Sequence, residues 1–131
     1  MRLSNKVVFV TGASGGLGGH FCKAFLKEGA QVVVTDITEK MVSAGLAELN
    51  APDSTLGAVV DVCVRSSIEA AVAQSVKRFG RLDILVNVAG GALHTPHKFE
   101  DIDDASWDKV VEVNLKGTFL CCQVAVEQFR K

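Results

Sequence analysis

Five glycines, Gly12, Gly15, Gly16, Gly18 and Gly19, fall within eight residues at the end of an apolar run, Val7-Val8-Phe9-Val10. A turn of this kind lets the backbone approach a ligand closely, because glycine has no Cβ to hold it off. A helical period starts behind it, in His20-Phe21-Cys22-Lys23-Ala24-Phe25-Leu26-Lys27. The turn therefore opens onto a helix N-terminus, with its unsatisfied N–H groups and the positive end of its dipole. That arrangement suits a phosphate. The anion it predicts is the pyrophosphate of a dinucleotide, held across Gly12, Ser14, Gly15, Gly16, Leu17 and Gly18. The spacing Gly12-x-x-x-Gly16-x-Gly18 departs from the general Gly-x-Gly-x-x-Gly fingerprint, and read alone such a stretch is also compatible with a plain turn. The next apolar run, Gln31-Val32-Val33-Val34-Thr35, ends at Asp36. An acid about 20 residues after the turn is placed for the ribose hydroxyls of an adenosine. Neither Ile37 nor Ser14 supplies the positive charge that a 2′-phosphate would want, so NAD is expected rather than NADP. The plainer alternative for Asp36 is a solvated strand end.

The elements that must position these groups follow in regular order. Helix one is expected from about Leu17 to Glu28, with Leu17, Phe21, Ala24 and Phe25 on its inward face and Gly29 ending it. Thr38 caps helix two, whose inward stripe is read as Met41, Ala44, Gly45 and Leu49. Strand three is Leu56 to Val60, ending at Asp61-Val62. Ser66 and Glu69 have the spacing of a capping box. The helix behind them turns Ile68, Ala71, Val72, Ser75, Val76 and Phe79 to one side, and Gly80 closes it. Strand four is Leu82 to Asn87. Asp103 caps a long final helix, with Ile102 and Trp107 as a hydrophobic staple. That helix is apolar almost all round from Thr118 onward, so it requires burial on more than one side.

Strands alternating with helices imply an α/β fold: a Rossmann-like, doubly wound parallel sheet with helices on both faces. Near-continuous apolar strands fit a sheet covered on both sides. Gly12, Asp36, Asp61 and Asn87 all fall at strand C-termini, the edge where open α/β sheets bind ligands.

Composition limits the function classes. The 131 residues imply one domain. A net charge of −1 gives no reason to expect nucleic acid or an anionic membrane as partner. No apolar run approaches a membrane span, and the N-terminus leads straight into strand one without a secretory signal. Cys22, Cys63, Cys121 and Cys122 include no Cys-x-x-Cys pair and read as reduced, mostly buried thiols of a cytoplasmic protein. His94 and His97 lack companions at metal-site spacing, so no metal is expected.

Taken together, these motifs resemble the short-chain dehydrogenase/reductase family. Thr11-Gly12-x-x-x-Gly16-x-Gly18 fits its cofactor turn, and Asp61-Val62 its adenine-contacting pair. Asn87-Val88-Ala89-Gly90 is similar to its Asn-Asn-Ala-Gly motif, with Val88 in place of the second asparagine. Asn114, in Val113-Asn114-Leu115-Lys116-Gly117, matches the asparagine that kinks the long helix and joins the catalytic proton relay. The resemblance implies that Asn87, Ala89 and Gly90 serve the nicotinamide-side ribose, that the sheet order is 3-2-1-4, and that copies associate through the final helix. It also implies hydride transfer between NAD and an alcohol or carbonyl substrate. The family's catalytic tyrosine has no counterpart, because the chain has no tyrosine, and no serine or lysine here matches its two companions. Residues 1–131 are thus expected to be the N-terminal, dinucleotide-binding part of such an enzyme, cut after the fourth strand and its long helix, and inactive alone. The alternative is a non-catalytic, truncated module that binds NAD or pairs with other subunits. The substrate is not legible, because the family's substrate loop lies beyond residue 131.

Overall fold

The computed structural model describes residues 1–131 and contains one four-stranded sheet. Its elements are β1 (Val7–Thr11), α1 (Gly16–Lys27), β2 (Gln31–Asp36), α2 (Glu39–Leu49), β3 (Thr55–Val59), α3 (Arg65–Phe79), β4 (Ile84–Asn87), α4 (Asp104–Val111) and α5 (Gly117–Phe129). All pairings are parallel, in the order β3-β2-β1-β4. This is the Rossmann-like arrangement that the sequence pattern implies, in the strand order that the resemblance implies.

The period-two alternation of β1 divides the core. Val7 and Phe9 face a cluster built with Ile68, Ala71 and Val72 of α3 and with Leu120, Cys121 and Val124 of α5. Val8 and Val10 face the opposite cluster, with Cys22 of α1 and Val32 and Val34 of β2. Successive side chains of a strand point to opposite faces, so a continuous run of valines serves both layers. No helix is long and apolar enough to cross a membrane.

The caps at Thr38 and Asp103 form as expected: their side chains accept from Met41 N and Ser106 N. Gly80 ends α3 in the left-handed region at φ 83°. Several expectations require correction. Helix one buries Gly18 and Cys22 rather than Leu17, which is 70% exposed. Helix two buries Val42 and Gly45, while Met41 and Ala44 face outward. In both helices the true inward stripe is rotated by one residue. The capping box at Ser66 is absent: α3 starts at Arg65 after Val64, and Ser67 Oγ instead accepts the Asp61 N–H at 2.9 Å. Trp107 remains 65% exposed, so a staple against Ile102 buries little of it. The final helix, by contrast, is interrupted where the resemblance implies a kink, at Asn114: a π-helical turn, Glu112–Lys116, separates α4 from α5, and the Gly117 N–H reaches back to Glu112 O, five residues earlier. Of the thiols, Cys22 and Cys121 are buried, Cys63 is half-buried and Cys122 is exposed. Burial pushes Cys22 up to about 11 and Cys121 up to about 12.

Asp83, just before β4, ties that strand to β1. It accepts from Val7 N at 2.9 Å, from Arg81 Nε at 2.8 Å and from Lys6 Nζ at 3.3 Å. Burial pushes its carboxyl up, but Arg81, the Val7 N–H and Lys6 together outweigh burial and hold it below the usual carboxylate range. A depressed folded value means that this stabilisation is present above the unfolded value, about 3.9, and is lost as pH falls through the folded one. Asp83→Asn is therefore expected to cost about 1.5–3 kcal/mol at neutral pH, the range for a hydrogen bond to a charged group. The cost should shrink in urea melts at about pH 3. An equal cost at both pH values would contradict the assignment.

Candidate functional site

Two side chains set the floor of the site. Thr11, the last residue of β1, is 1% exposed, and its Oγ1 accepts from Val88 N at 3.1 Å and Ala89 N at 3.2 Å. The exit of β4 is thereby pinned to the exit of β1. Thr35 does the same one strand over, donating to Val10 O at 2.9 Å.

Between these strand ends lies the glycine turn. Gly12 sits at φ 62°, a left-handed conformation, and a Cβ there would stand 2.9 Å from Ala89 Cα. A Cβ on Gly18 would stand 2.8 Å from Ala13 Cα and closer still to the Gly12 carbonyl oxygen. These two glycines let α1 start directly against β1 and β4. The N-terminal cap of α1, Gly15, offers no side-chain acceptor to the first-turn N–H groups.

Asp36 is 8% exposed at the end of β2. Its Oδ2 accepts from Ser14 Oγ at 2.5 Å and from Ser14 N at 3.2 Å, and its Oδ1 from Ile37 N at 2.8 Å. Ser14 thus acts behind Asp36, fixing the carboxylate's rotamer. Asp61 is held by Ser67 through its N–H and accepts from Cys63 N at 2.9 Å. The Cys63 thiol is pushed up by burial first and then by the neighbouring charges of Asp61 and Glu112.

These groups border a cleft of about 1050 Å³ at the C-terminal edge of the sheet. Gly12, Gly15, Gly16, Leu17, Gly18, Asp36, Asp61, Val62, Ala89 and Gly90 all line it. Ser14, Asn87 and Asn114 do not. Asn87 Nδ2 lies 3.5 Å from Cys122 Sγ, and its Oδ1 is buried without a partner. Asn114 clamps the loop after β4: its Oδ1 accepts from Gly91 N at 2.8 Å and its Nδ2 donates to Gly91 O at 3.0 Å. The same Nδ2 donates to Val110 O at 2.8 Å, one helical turn back. His94 and His97 lie in the exposed loop, and no group of three His, Cys, Asp or Glu side chains is arranged to hold a metal ion.

Two features carry no local signal in the sequence. Thr11 heads the glycine motif, but nothing near it says that its hydroxyl holds the exit of β4. The other is the wall of the cleft formed by α4, through Ala105, Asp108 and Lys109, and by Glu112 at the start of the π turn. Their spacing of three, four and seven is helical, but nothing local says that this face looks onto a cleft.

The residues fit a dinucleotide: a glycine cradle that a Cβ would fill, bare helix N–H donors, and a fixed carboxylate one strand away. Residues 6–131 match the family model described as short chain dehydrogenase. The chain belongs to the short-chain dehydrogenase/reductase family. Among its relatives, the NAD-dependent glycerol dehydrogenase of Listeria innocua is 41% identical over 123 residues, 94% of this chain and 47% of the relative. A subunit of (2S)-[(R)-hydroxy(phenyl)methyl]succinyl-CoA dehydrogenase from Thauera aromatica is 39% identical over 94% of this chain and 49% of its own length. The crystal structure of 3-ketoacyl-(acyl-carrier-protein) reductase from Brucella melitensis, complexed with NADH, superposes with a TM-score of 0.87. It is 32% identical, covering 98% of this chain and 51% of that one. The chain thus spans about half the length of the curated short-chain dehydrogenases that it matches.

Proposed function

We propose that residues 1–131 form the dinucleotide-binding domain of an NAD-dependent dehydrogenase acting on a small alcohol or carbonyl compound. The observation that carries this reading is the cleft itself, where the glycine cradle and the Asp36 carboxylate line one cavity. The N–H groups of the first turn of α1 would hold the pyrophosphate. Asp36, its rotamer locked by Ser14, would accept the adenosine ribose hydroxyls. Asp61 and Val62 would border the adenine, and Ala89 and Gly90 the nicotinamide-side ribose. Bound NAD supplies the hydride acceptor or donor, and the protein supplies position and electrostatics. Asn87 and Asn114 stand outside the cleft lining, so their part would be to hold the β4 exit and its loop in place. The four free thiols fit a reducing, cytoplasmic setting. The expected partner is a second copy of the chain, packed on α5.

Cofactor choice tests the reading. Asp36 would meet a 2′-phosphate as like charge, and such juxtapositions cost several kcal/mol. Calorimetric titration should show NADH binding at least about tenfold more tightly than NADPH, with Asp36→Ala narrowing the gap. Equal or tighter binding of NADPH by the unmodified chain would sink the assignment. One relative named as NAD-dependent and one structural neighbour bound to NADH support the same choice.

A further inference from the structure

We infer that Lys109 is a cofactor-positioning residue whose ammonium pairs with the pyrophosphate of the bound dinucleotide from the α4 side of the cleft. The inference rests on the dinucleotide reading above. The cleft is lined by four carboxylates, Asp36, Asp61, Asp108 and Glu112, and by a single cation, Lys109. A pyrophosphate entering that field meets repulsion from several sides and one full positive charge. Three of the four carboxylates have local partners. Asp36 is engaged by Ser14 and Ile37, Asp61 by the Cys63 N–H, and Glu112 lies 3.9 Å from Lys116. Lys109 takes part in none of the ion pairs of the structure.

The simplest local explanation for a lysine here is complementarity to the negative end of a helix. It does not apply at this position. Helix α4 does not end after Lys109 but continues through the π turn into α5, and the Lys109 carbonyl accepts the Glu112 N–H. No free row of carbonyls is left for the ammonium to complement. Its wall is also held in place, because Asn114 joins the α4–α5 junction to Gly91 at the exit of β4 by two hydrogen bonds. The pyrophosphate carries the fixed negative charge of NADH, whereas adenine, the riboses and reduced nicotinamide are neutral. It is the one group of the cofactor that an ammonium would seek.

The test compares the unmodified chain with Lys109→Met and Lys109→Arg, using NADH, ADP-ribose and adenosine at low and high salt. Binding is read by fluorescence and calorimetry, and the melting temperature is recorded for each variant. Lys109→Met should weaken NADH and ADP-ribose by about tenfold at low salt, the scale of one charge-assisted hydrogen bond. It should also flatten the salt dependence, while leaving adenosine affinity and the melt unchanged. Lys109→Arg should retain most of the affinity. If the unmodified chain binds NADH and Lys109→Met binds it within about twofold, the role of Lys109 is overturned and the dinucleotide site stands. Parallel loss of adenosine binding would equally overturn it, as a packing defect. Failure of the unmodified chain to bind NADH or ADP-ribose would overturn the dinucleotide reading, and this inference with it.

Discussion

Gly18→Ala is expected to lower stability by about 1–3 kcal/mol, the usual cost of forcing an extra methyl group into a filled site. Gly16→Ala, two residues earlier on the same helix, is expected to be neutral or to stabilise by up to about 1 kcal/mol. The difference is geometric. A Cβ at Gly16 would meet nothing within 4 Å, whereas one at Gly18 would meet the backbone of Gly12 and Ala13. Backbone cannot rotate away as a flexible side chain can, so the turn itself must shift. That shift would carry the N–H groups of Gly16 and Leu17 out of alignment. NADH affinity should accordingly fall at least tenfold in Gly18→Ala, since a hydrogen bond to a charged group contributes roughly 1.5–3 kcal/mol. Urea melts and NADH titration of the two variants decide the matter. Equal stability of Gly18→Ala and Gly16→Ala would mean that the close approach of α1 to the turn is not what positions the helix.

The second large effect concerns association. Leu115, Phe119, Val126 and Phe129 are 68%, 56%, 41% and 45% exposed. Their spacings of four, seven and three place them along one side of the α5 region. Strand β4 pairs on one side only, with β1, so Ile84–Asn87 present an open backbone edge. Each Leu or Phe left exposed forgoes roughly 1.5–3 kcal/mol of burial, and an unpaired edge is a template for another chain. Together these terms are comparable with a domain's whole margin of about 5–15 kcal/mol. The 131-residue chain is therefore expected to self-associate at tens of micromolar. Phe119→Glu should shift it towards monomer, because a second copy would have to bury that charge unpaired. Size-exclusion chromatography with light scattering is the measurement. A sharp monomer peak with a cooperative melt from the unmodified chain would show that neither the helix face nor the edge needs a partner.

Much of this protein is determined by sequence over short distances. The turn at Gly12 to Gly18, the caps at Thr38 and Asp103 and the stop at Gly80 are decided by residues within one or two turns of each other, and all stand where the sequence places them. The strand order followed from the family resemblance, and the alternation of apolar strands with helices was sufficient for the parallel sheet. What depended on distant neighbours was not legible. Helix periodicity alone does not say which of two adjacent stripes faces the sheet. The contact of Gly18 with Gly12 settles that for α1, turning Cys22 inward and Leu17 out towards the cleft. Thr11 holds the exit of β4 from 77 residues away, and Asp83 holds Val7 across 76. A hydroxyl or carboxylate takes such a role only once the sheet has brought its partner within about 3 Å. The same reason explains the bond of Ser14 to Asp36, which joins residues 22 apart. It explains Lys109 too: a helix in sequence becomes the wall of a cleft only when the fold lays it across the ends of the strands.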